Sequence, residues 1–212
     1  MLPDMQMPVI GLTGPTGAGK STAAGMLAAL GCGVVDGDAL AREITAPGSP
    51  VLTQLAARFG EDIICKGECL DRALLAERAF ADEKSRRDLG LITHPAITAL
   101  ALTRAKALQG ARAVVFDAAA LLESEMAHAC DHILVITAPE ALRLERILKR
   151  GGVSQRAARQ RIAAQACMDF TPPAGIACTV IDSTQGEAAL RAAVEKAFLE
   201  ICNQYSKPDG GK

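Results

Sequence analysis

The chain has 212 residues, half of them apolar, with 23 basic and 24 acidic side chains and a formal net charge of −1. That length holds one substantial α/β domain with an insertion, and the apolar content is enough to bury its core. The near-neutral charge, with no long basic arm, excludes the electrostatic footprint of a general nucleic-acid binder, and no apolar run reaches membrane-spanning length. The opening MLPDMQMP lacks the charged-then-apolar pattern of a secretory signal, so the cytoplasm is the expected compartment.

Residues 9–12 form a short apolar run that reads as a buried strand. It leads into GPTGAGKS over 14–21, the spacing G-x-x-x-x-G-K-[ST] of a phosphate-binding loop in an NTP-using enzyme. Glycines at Gly14, Gly17 and Gly19 let the backbone turn tightly and aim several N–H groups at a polyphosphate. Lys20 reaches the β and γ oxygens, Ser21 offers a hydroxyl to Mg²⁺, and the positive end of the next helix adds to the field. That helix is marked by Ala23, Met26, Leu27 and Leu30 at i, i+3, i+4 and i+7, with Gly31 as its stop.

A second strand is expected at 33–35, followed by Asp36 and Asp38. If the strand runs on, both carboxylates lean to one side; alternatively one or both cap the following helix, at 39–44. In phosphoryl transfer a carboxylate so placed orients the acceptor hydroxyl and takes its proton, a role that falls to Asp38 before Asp36. Residues 45–110 show helical patterns at 51–59, 72–80 and 95–108 and no strand, which reads as an inserted helical subdomain. His94 before Pro95 reads as a helix entry with proline at the first position.

Further strands are expected at 113–116, 133–136 and 178–181, so strands alternate with helices as in a parallel sheet covered on both faces. The third closes on Asp117, the position of the acid that holds Mg²⁺, directly or through water, in phosphate-loop enzymes. Glu123 follows, either near that site or on a solvated face. From 143 to 161 there are seven basic residues and one acid, Glu145. Leu144, Ile147 and Leu148 form an apolar stripe, while Arg143, Arg146 and Arg150 share another face and could neutralise a transferring phosphoryl group. The Gly151-Gly152 pair gives the segment a hinge, as in a mobile lid, and the tail at 206–212 is expected to fray. The seven cysteines are odd in number and scattered, and read as reduced and mostly packed; Cys65 and Cys69 are a close pair without a second pair to complete a zinc site.

Taken together these segments resemble the dephospho-CoA kinase family, which phosphorylates the ribose 3′-hydroxyl of dephospho-CoA in the last step of coenzyme A synthesis. The resemblance covers nearly the whole chain. It rests on GLTG at 11–14 leading into GAGKST at 17–22, VDGD at 35–38 followed by Ala41-Arg42, and APGSP at 46–50. Further matches are Phe59-Gly60, LDR at 70–72, FAD at 80–82, His94-Pro95, Arg146 with Arg150, IAAQ at 162–165 and VID at 180–182. It implies a phosphate-loop, three-layer α/β fold with a parallel sheet, in which 8–44, 111–145 and 175–203 form the nucleotide-binding core. Residues 45–110 would be the acceptor subdomain and 146–174 the lid.

By the same resemblance Gly14, Gly17, Ala18, Gly19, Lys20, Ser21 and Thr22 bind ATP, and Ser21 and Asp117 hold Mg²⁺. Asp38, Lys20, Arg146 and Arg150 are the catalytic set, with Asp38 the proton acceptor, and Asp38, Arg42 and His94 lie on the substrate side. A monomer acting on a small molecule is implied, without nucleic acid or membrane. The chain departs from the family where D-x-P-L-L-aromatic-E becomes DAAALLE at 117–123, where Asp169, Phe170 and Thr171 follow Gln165, and where Ser183 stands for an asparagine.

Other classes fit less well. A GTPase switch needs an N-K-x-D motif, and the chain's one asparagine is Asn203. A transport ATPase would carry an LSGGQ-type signature, and a binding-only pseudo-enzyme would not keep Lys20, Ser21, Asp38 and Asp117 together. A nucleoside or nucleotide kinase shares the loop, sheet and arginine lid, and differs in the acceptor subdomain.

Overall fold

The apolar run at the start becomes β1 (Val9–Thr13), buried at all five residues. It feeds the glycine-rich loop and then α1 (Lys20–Ala29). Next come β2 (Gly33–Asp36), α2 (Gly37–Ile44), α3 (Pro50–Phe59), α4 (Arg72–Ala79) and α5 (Glu83–Ala107). The chain returns as β3 (Val114–Asp117), β4 (His132–Thr137), α6 (Glu140–Lys149), α7 (Gln155–Ala163), β5 (Ala177–Asp182) and α8 (Glu187–Tyr205). These elements come from a computed structural model that describes residues 7–166 and 168–205. Cys167 and the tail at 206–212 lie outside the described residues.

The five strands form one parallel sheet in the order β2-β3-β1-β4-β5. β1 lies between β3 and β4, with Leu12 opposite Asp117 and Leu134. Alternation along β1 sorts its side chains by face. Ile10 and Leu12 join Val115, Leu134 and Ile136 in a cluster sealed by Leu27 of α1 and by Leu190, Val194 and Phe198 of α8. Gly11 points the other way, where a Cβ would meet Leu121, Cys130 and Ile133, so the 3₁₀ turns Leu121–Glu123 and Glu125–Ala129 lie directly on that face.

The chain divides into two compact units. One takes in residues up to Val35 and from Ala105 onward; the other is Asp36–Arg104. The second has its own core, in which Leu55 and Ile63 are fully buried and Ile44, Val51, Phe59, Leu75 and Ala79 surround them. Its helices start on side-chain caps. Asp36 accepts from the N–H groups of Asp38 and Ala39, Ser49 from Val51 ahead of Pro50, and Asp71 from Ala73 and Leu74.

Two expectations are corrected. The helix expected at 95–108 is α5, a 25-residue helix with Pro95 inside it, so the proline is not its entry. Asp82 starts it instead, accepting from Ser85 N–H at 2.7 Å and Ser85 Oγ at 3.0 Å, bonds that hold the Asp82 carboxyl below its usual range. Pro95 removes the N–H that would bond Leu91 O, and both residues lie on the exposed side, where water can take the freed carbonyl. Of the two readings left open for Asp36 and Asp38, capping holds for Asp36: β2 ends there and its side chain caps α2. The cysteines are less packed than expected. Burial pushes the Cys32 thiol up to about 11 and Cys130 up to about 12, but Cys65, Cys69 and Cys178 are exposed.

Asp71→Ala removes the acceptor for two N–H groups of α4 and is expected to lower stability by about 1 kcal/mol. A denaturant titration reads this as a lower midpoint at unchanged slope; a midpoint equal to that of the parent would contradict it.

Candidate functional site

The loop between β1 and α1 is shaped by what lies against it. Gly14 has φ 137° and Gly17 φ 81°, both in the region where a side chain is strained. A Cβ on Gly14 would run into the carbonyl oxygen of Ile136 on β4, and one on Gly17 would lie 2.7 Å from the carbonyl oxygen of Arg143 on α6. Ala18 N–H closes the turn on Pro15 O at 3.1 Å. Gly19, left-handed at φ 108°, precedes α1 with no side chain capping it. The first-turn N–H groups of α1 therefore stay available to an anion, at the positive end of the helix. Lys20 folds back across the loop, Nζ donating to Gly14 O at 2.7 Å.

The turn after β5 locks onto this loop through Ser183, which is only 1% exposed. Ser183 Oγ donates to Ala18 O at 2.6 Å, and its N–H donates to Thr137 O at 2.9 Å. Arg146 completes the knot. Its Nη1 donates to Ser183 Oγ at 2.7 Å and Ala18 O at 3.2 Å, and its Nη2 to Ser183 O at 2.7 Å. Leu144, Ile147 and Leu148 of α6 pack with Val153, Ala158 and Ile162, so α6 and α7 form a small body of their own. Past α7 the chain returns to the loop, where Gln165 Oε1 accepts from Thr16 N–H at 2.7 Å. Arg143 Nε, beside the same loop, is buried without a hydrogen-bond partner among the described residues.

Against α1 opens a cleft of ≈440 Å³ whose walls include Gly19, Thr22, Arg146, Lys149, Arg150 and Ser183. Its size suits a small ligand, and its lining carries three cations together with one acid, Glu187. Gly151 and Gly152, both left-handed at φ 75° and 77°, follow Arg150 at once. Asp117 ends β3 in register with Leu12. Thr13 Oγ1 donates to Ala119 O at 3.2 Å and Ala118 N–H to Leu12 O at 3.1 Å, which ties the segment after Asp117 to the end of β1. Ser21 is exposed in the first turn of α1, and Glu123 is exposed at the end of its 3₁₀ turn.

In the second unit, Asp38 and Arg42 are exposed on α2, with Arg42 Nη2 4.0 Å from Asp36 Oδ2. His94 lies part-buried in mid-α5, its imidazole over Gly90, where a Cβ would meet Cε1 at 3.1 Å. Thus Gly14, Gly19, Lys20, Thr22, Arg146 and Arg150 lie around one loop and cleft. The hub role of Ser183, the Gln165 contact and the buried Arg143 were not read from the sequence. Ser183 follows a strand-ending VID run, but a small hydroxyl there carries no pattern that announces three partners.

Residues 8–188 match the model of the dephospho-CoA kinase family. Among curated relatives, the dephospho-CoA kinase of Syntrophotalea carbinolica is 45% identical over 165 residues, 77% of this chain and 78% of the relative. That of Corynebacterium jeikeium is 40% identical over 180 residues, 84% of this chain and 91% of the relative. A crystal structure from Thermus thermophilus superposes with a TM-score of 0.72 at 27% identity, covering 92% of this chain and 97% of that one. A shikimate kinase from Acinetobacter baumannii shares the fold at a TM-score of 0.55 and 18% identity, over 95% of this chain and 96% of that one.

Ser183→Ala removes a buried donor and acceptor at once, leaving Ala18 O and Arg146 short of partners. A loss of about 1–3 kcal/mol is expected, readable in a denaturant titration. Stability within about 0.3 kcal/mol of the parent would show that water replaces the hydroxyl without loss.

Proposed function

The chain belongs to the dephospho-CoA kinase family, and we propose a division of labour by which its residues carry that activity. The activity is transfer of the γ-phosphate of ATP to the ribose 3′-hydroxyl of dephospho-CoA, the last step of coenzyme A biosynthesis. The observation that carries the proposal is the loop at 14–19, which opens on the uncapped N-terminus of α1 with Lys20 folded across it.

ATP lies along this loop in the proposal. The backbone N–H groups of Gly17 and Gly19 and the first turn of α1 take the polyphosphate, with Ala18 N–H closing the loop on Pro15 O and Lys20 exchanging Gly14 O for a phosphate oxygen. The nucleoside end occupies the cleft beside Thr22, Arg146 and Ser183. Arg146 and Arg150 offset charge on the transferring group, and Arg143, whose Nε lacks a partner in this arrangement, belongs to a lid at 146–174 and its approach that rearranges about Gly151-Gly152. Ser21 and Asp117 supply hard oxygen donors at the carboxyl end of β1 and β3, a donor set that suits Mg²⁺. When bound there, the ion neutralises phosphate charge.

The acceptor is assigned to the second unit, through Arg42, His94 and the helices at 45–110. Asp38 is the proton acceptor. The capping of α2 falls to Asp36, whose Oδ1 takes both N–H groups, so the Asp38 carboxylate is not spent on the helix start. The protein works as a monomer in the cytoplasm, on small molecules alone.

One assay tests both the activity and the base. With ATP present, dephospho-CoA is expected to gain one phosphoryl group on the 3′-oxygen, while nucleosides are left unchanged; the reverse preference would overturn the acceptor assignment. In the same assay Asp38→Asn should lose about 10²- to 10⁴-fold in kcat with ATP affinity kept, since the cap at Asp36 is intact. A variant keeping more than about a tenth of the rate would remove Asp38 from the chemistry.

A further inference from the structure

Cys65 and Cys69 face each other at the tip of a tight hairpin. Residues 64–70 read ICKGECL, and the chain doubles back through an antiparallel bridge between Ile64 and Leu70. Cys65 N–H donates to Cys69 O at 2.9 Å, and Glu68 N–H to Cys65 O at 3.1 Å, closing a loop of three residues. Gly67 at φ 100° and Glu68 at φ 60° make the left-handed turn, an unusual conformation for glutamate. The base of the hairpin is fixed in the core. Ile63 is fully buried, Ile64 and Leu70 pack on the same cluster, and Asp71 N–H donates to Ile63 O at 2.7 Å.

The two thiols are therefore held in register by the backbone. Directly opposed residues of an antiparallel pair have Cβ atoms about 4.5–5.5 Å apart, and a disulfide needs about 3.5–4.5 Å, a small adjustment. The sulfurs are already 2.6 Å apart, and both residues are exposed. Packing does not account for them: free cysteine is otherwise among the most buried residue types. A metal does not either, because no third histidine, cysteine, aspartate or glutamate joins them in a cluster among the described residues. The hydrogen bond to Cys69 holds the Cys65 thiol above its usual range, so this sulfur rests protonated at neutral pH.

We propose that Cys65 and Cys69 are a reversible redox site, closing into an intrachain disulfide by exchange with a low-molecular-weight disulfide. One cysteine thiolate attacks a sulfur of the oxidant, whose S–S bond breaks and releases one thiolate. The second cysteine then loses its proton and attacks the protein sulfur of the mixed disulfide, forming the Cys65–Cys69 bond and releasing the other half. Two cysteine thiols give up two electrons and two protons; one disulfide becomes two thiols. Excess thiol runs the steps backwards. Closure would cross-link the connection that leads into Asp71, the cap of α4.

The full-length protein treated with oxidised glutathione tests this. Remaining thiols are alkylated, and the protein is weighed and digested with trypsin, which cuts after Lys66, between the two cysteines. The expected result is loss of two hydrogens, with the peptides on either side of that cut held together until dithiothreitol is added. Closure should be at least about tenfold faster than glutathione addition at the exposed Cys178, because the second step is intramolecular. Cys65→Ser should instead leave a stable glutathione adduct on Cys69. Separate adducts on both cysteines of the parent protein, or both thiols still open to alkylation once Cys178 has reacted, would overturn the proposal.

Discussion

The backbone of the glycine-rich loop lies so close to two neighbours that neither Gly14 nor Gly17 has room for a methyl group, and the rest of the first unit is arranged around that fit. Ile136 on β4 bounds the loop on one side and the backbone of Arg143 on α6 on the other. Because α6 must stay at that distance, Arg146, one turn further on, reaches Ala18 O and Ser183. Ser183 in turn ties the end of β5 to the same carbonyl. Gln165, beyond α7, returns to Thr16. Each contact presupposes the one before it, so the loop is preorganised by its neighbours before any ligand arrives, which is how a small set of N–H groups can bind an anion without first being ordered.

Charge is used differently in the two units. In the second, Arg58, Arg78 and Arg104 are matched to Asp88, Asp62 and Glu43, and Arg78 holds the Asp62 carboxyl below its usual range. In the first, Arg146 is held by carbonyl oxygens and a hydroxyl, and among the described residues no acid lies within ion-pair distance of Arg143, Arg146, Lys149 or Arg150. Their positive charge is therefore positioned without a direct ion pair, while Asp182 feels the field of Arg146 and Glu187 lines the same cleft. A chain with a net charge of −1 thus keeps three cationic side chains in the cleft beside the phosphate-binding loop.

Much of this was legible in the sequence, because the signals are local. The strand runs are apolar and short, the loop spacing is specific, and the stripe Leu144, Ile147, Leu148 has helical period. What was not legible depends on groups far apart in the chain or on backbone direction. Asp36 and Asp38 both suit a helix start, and only the turn of the chain at Gly37 decides that Asp36 caps it. The first six residues of α5 read EKSRRD, polar enough to hide a helix, and Pro95 suggests a beginning where there is only a missing hydrogen bond. Ser183 and Ala18 are 165 residues apart, so no spacing rule links them.

The central claim is that the loop's grip on phosphate depends on the clearance at Gly17. Gly17→Ala places a methyl group against Arg143 O at a φ of 81°, a strain of about 1–3 kcal/mol for the loop to keep its shape. Calorimetric titration with ATP should show affinity about tenfold weaker or worse, with the far-ultraviolet spectrum unchanged. An ATP affinity within about twofold of the parent protein would contradict the account, since the loop would then hold its shape without that clearance.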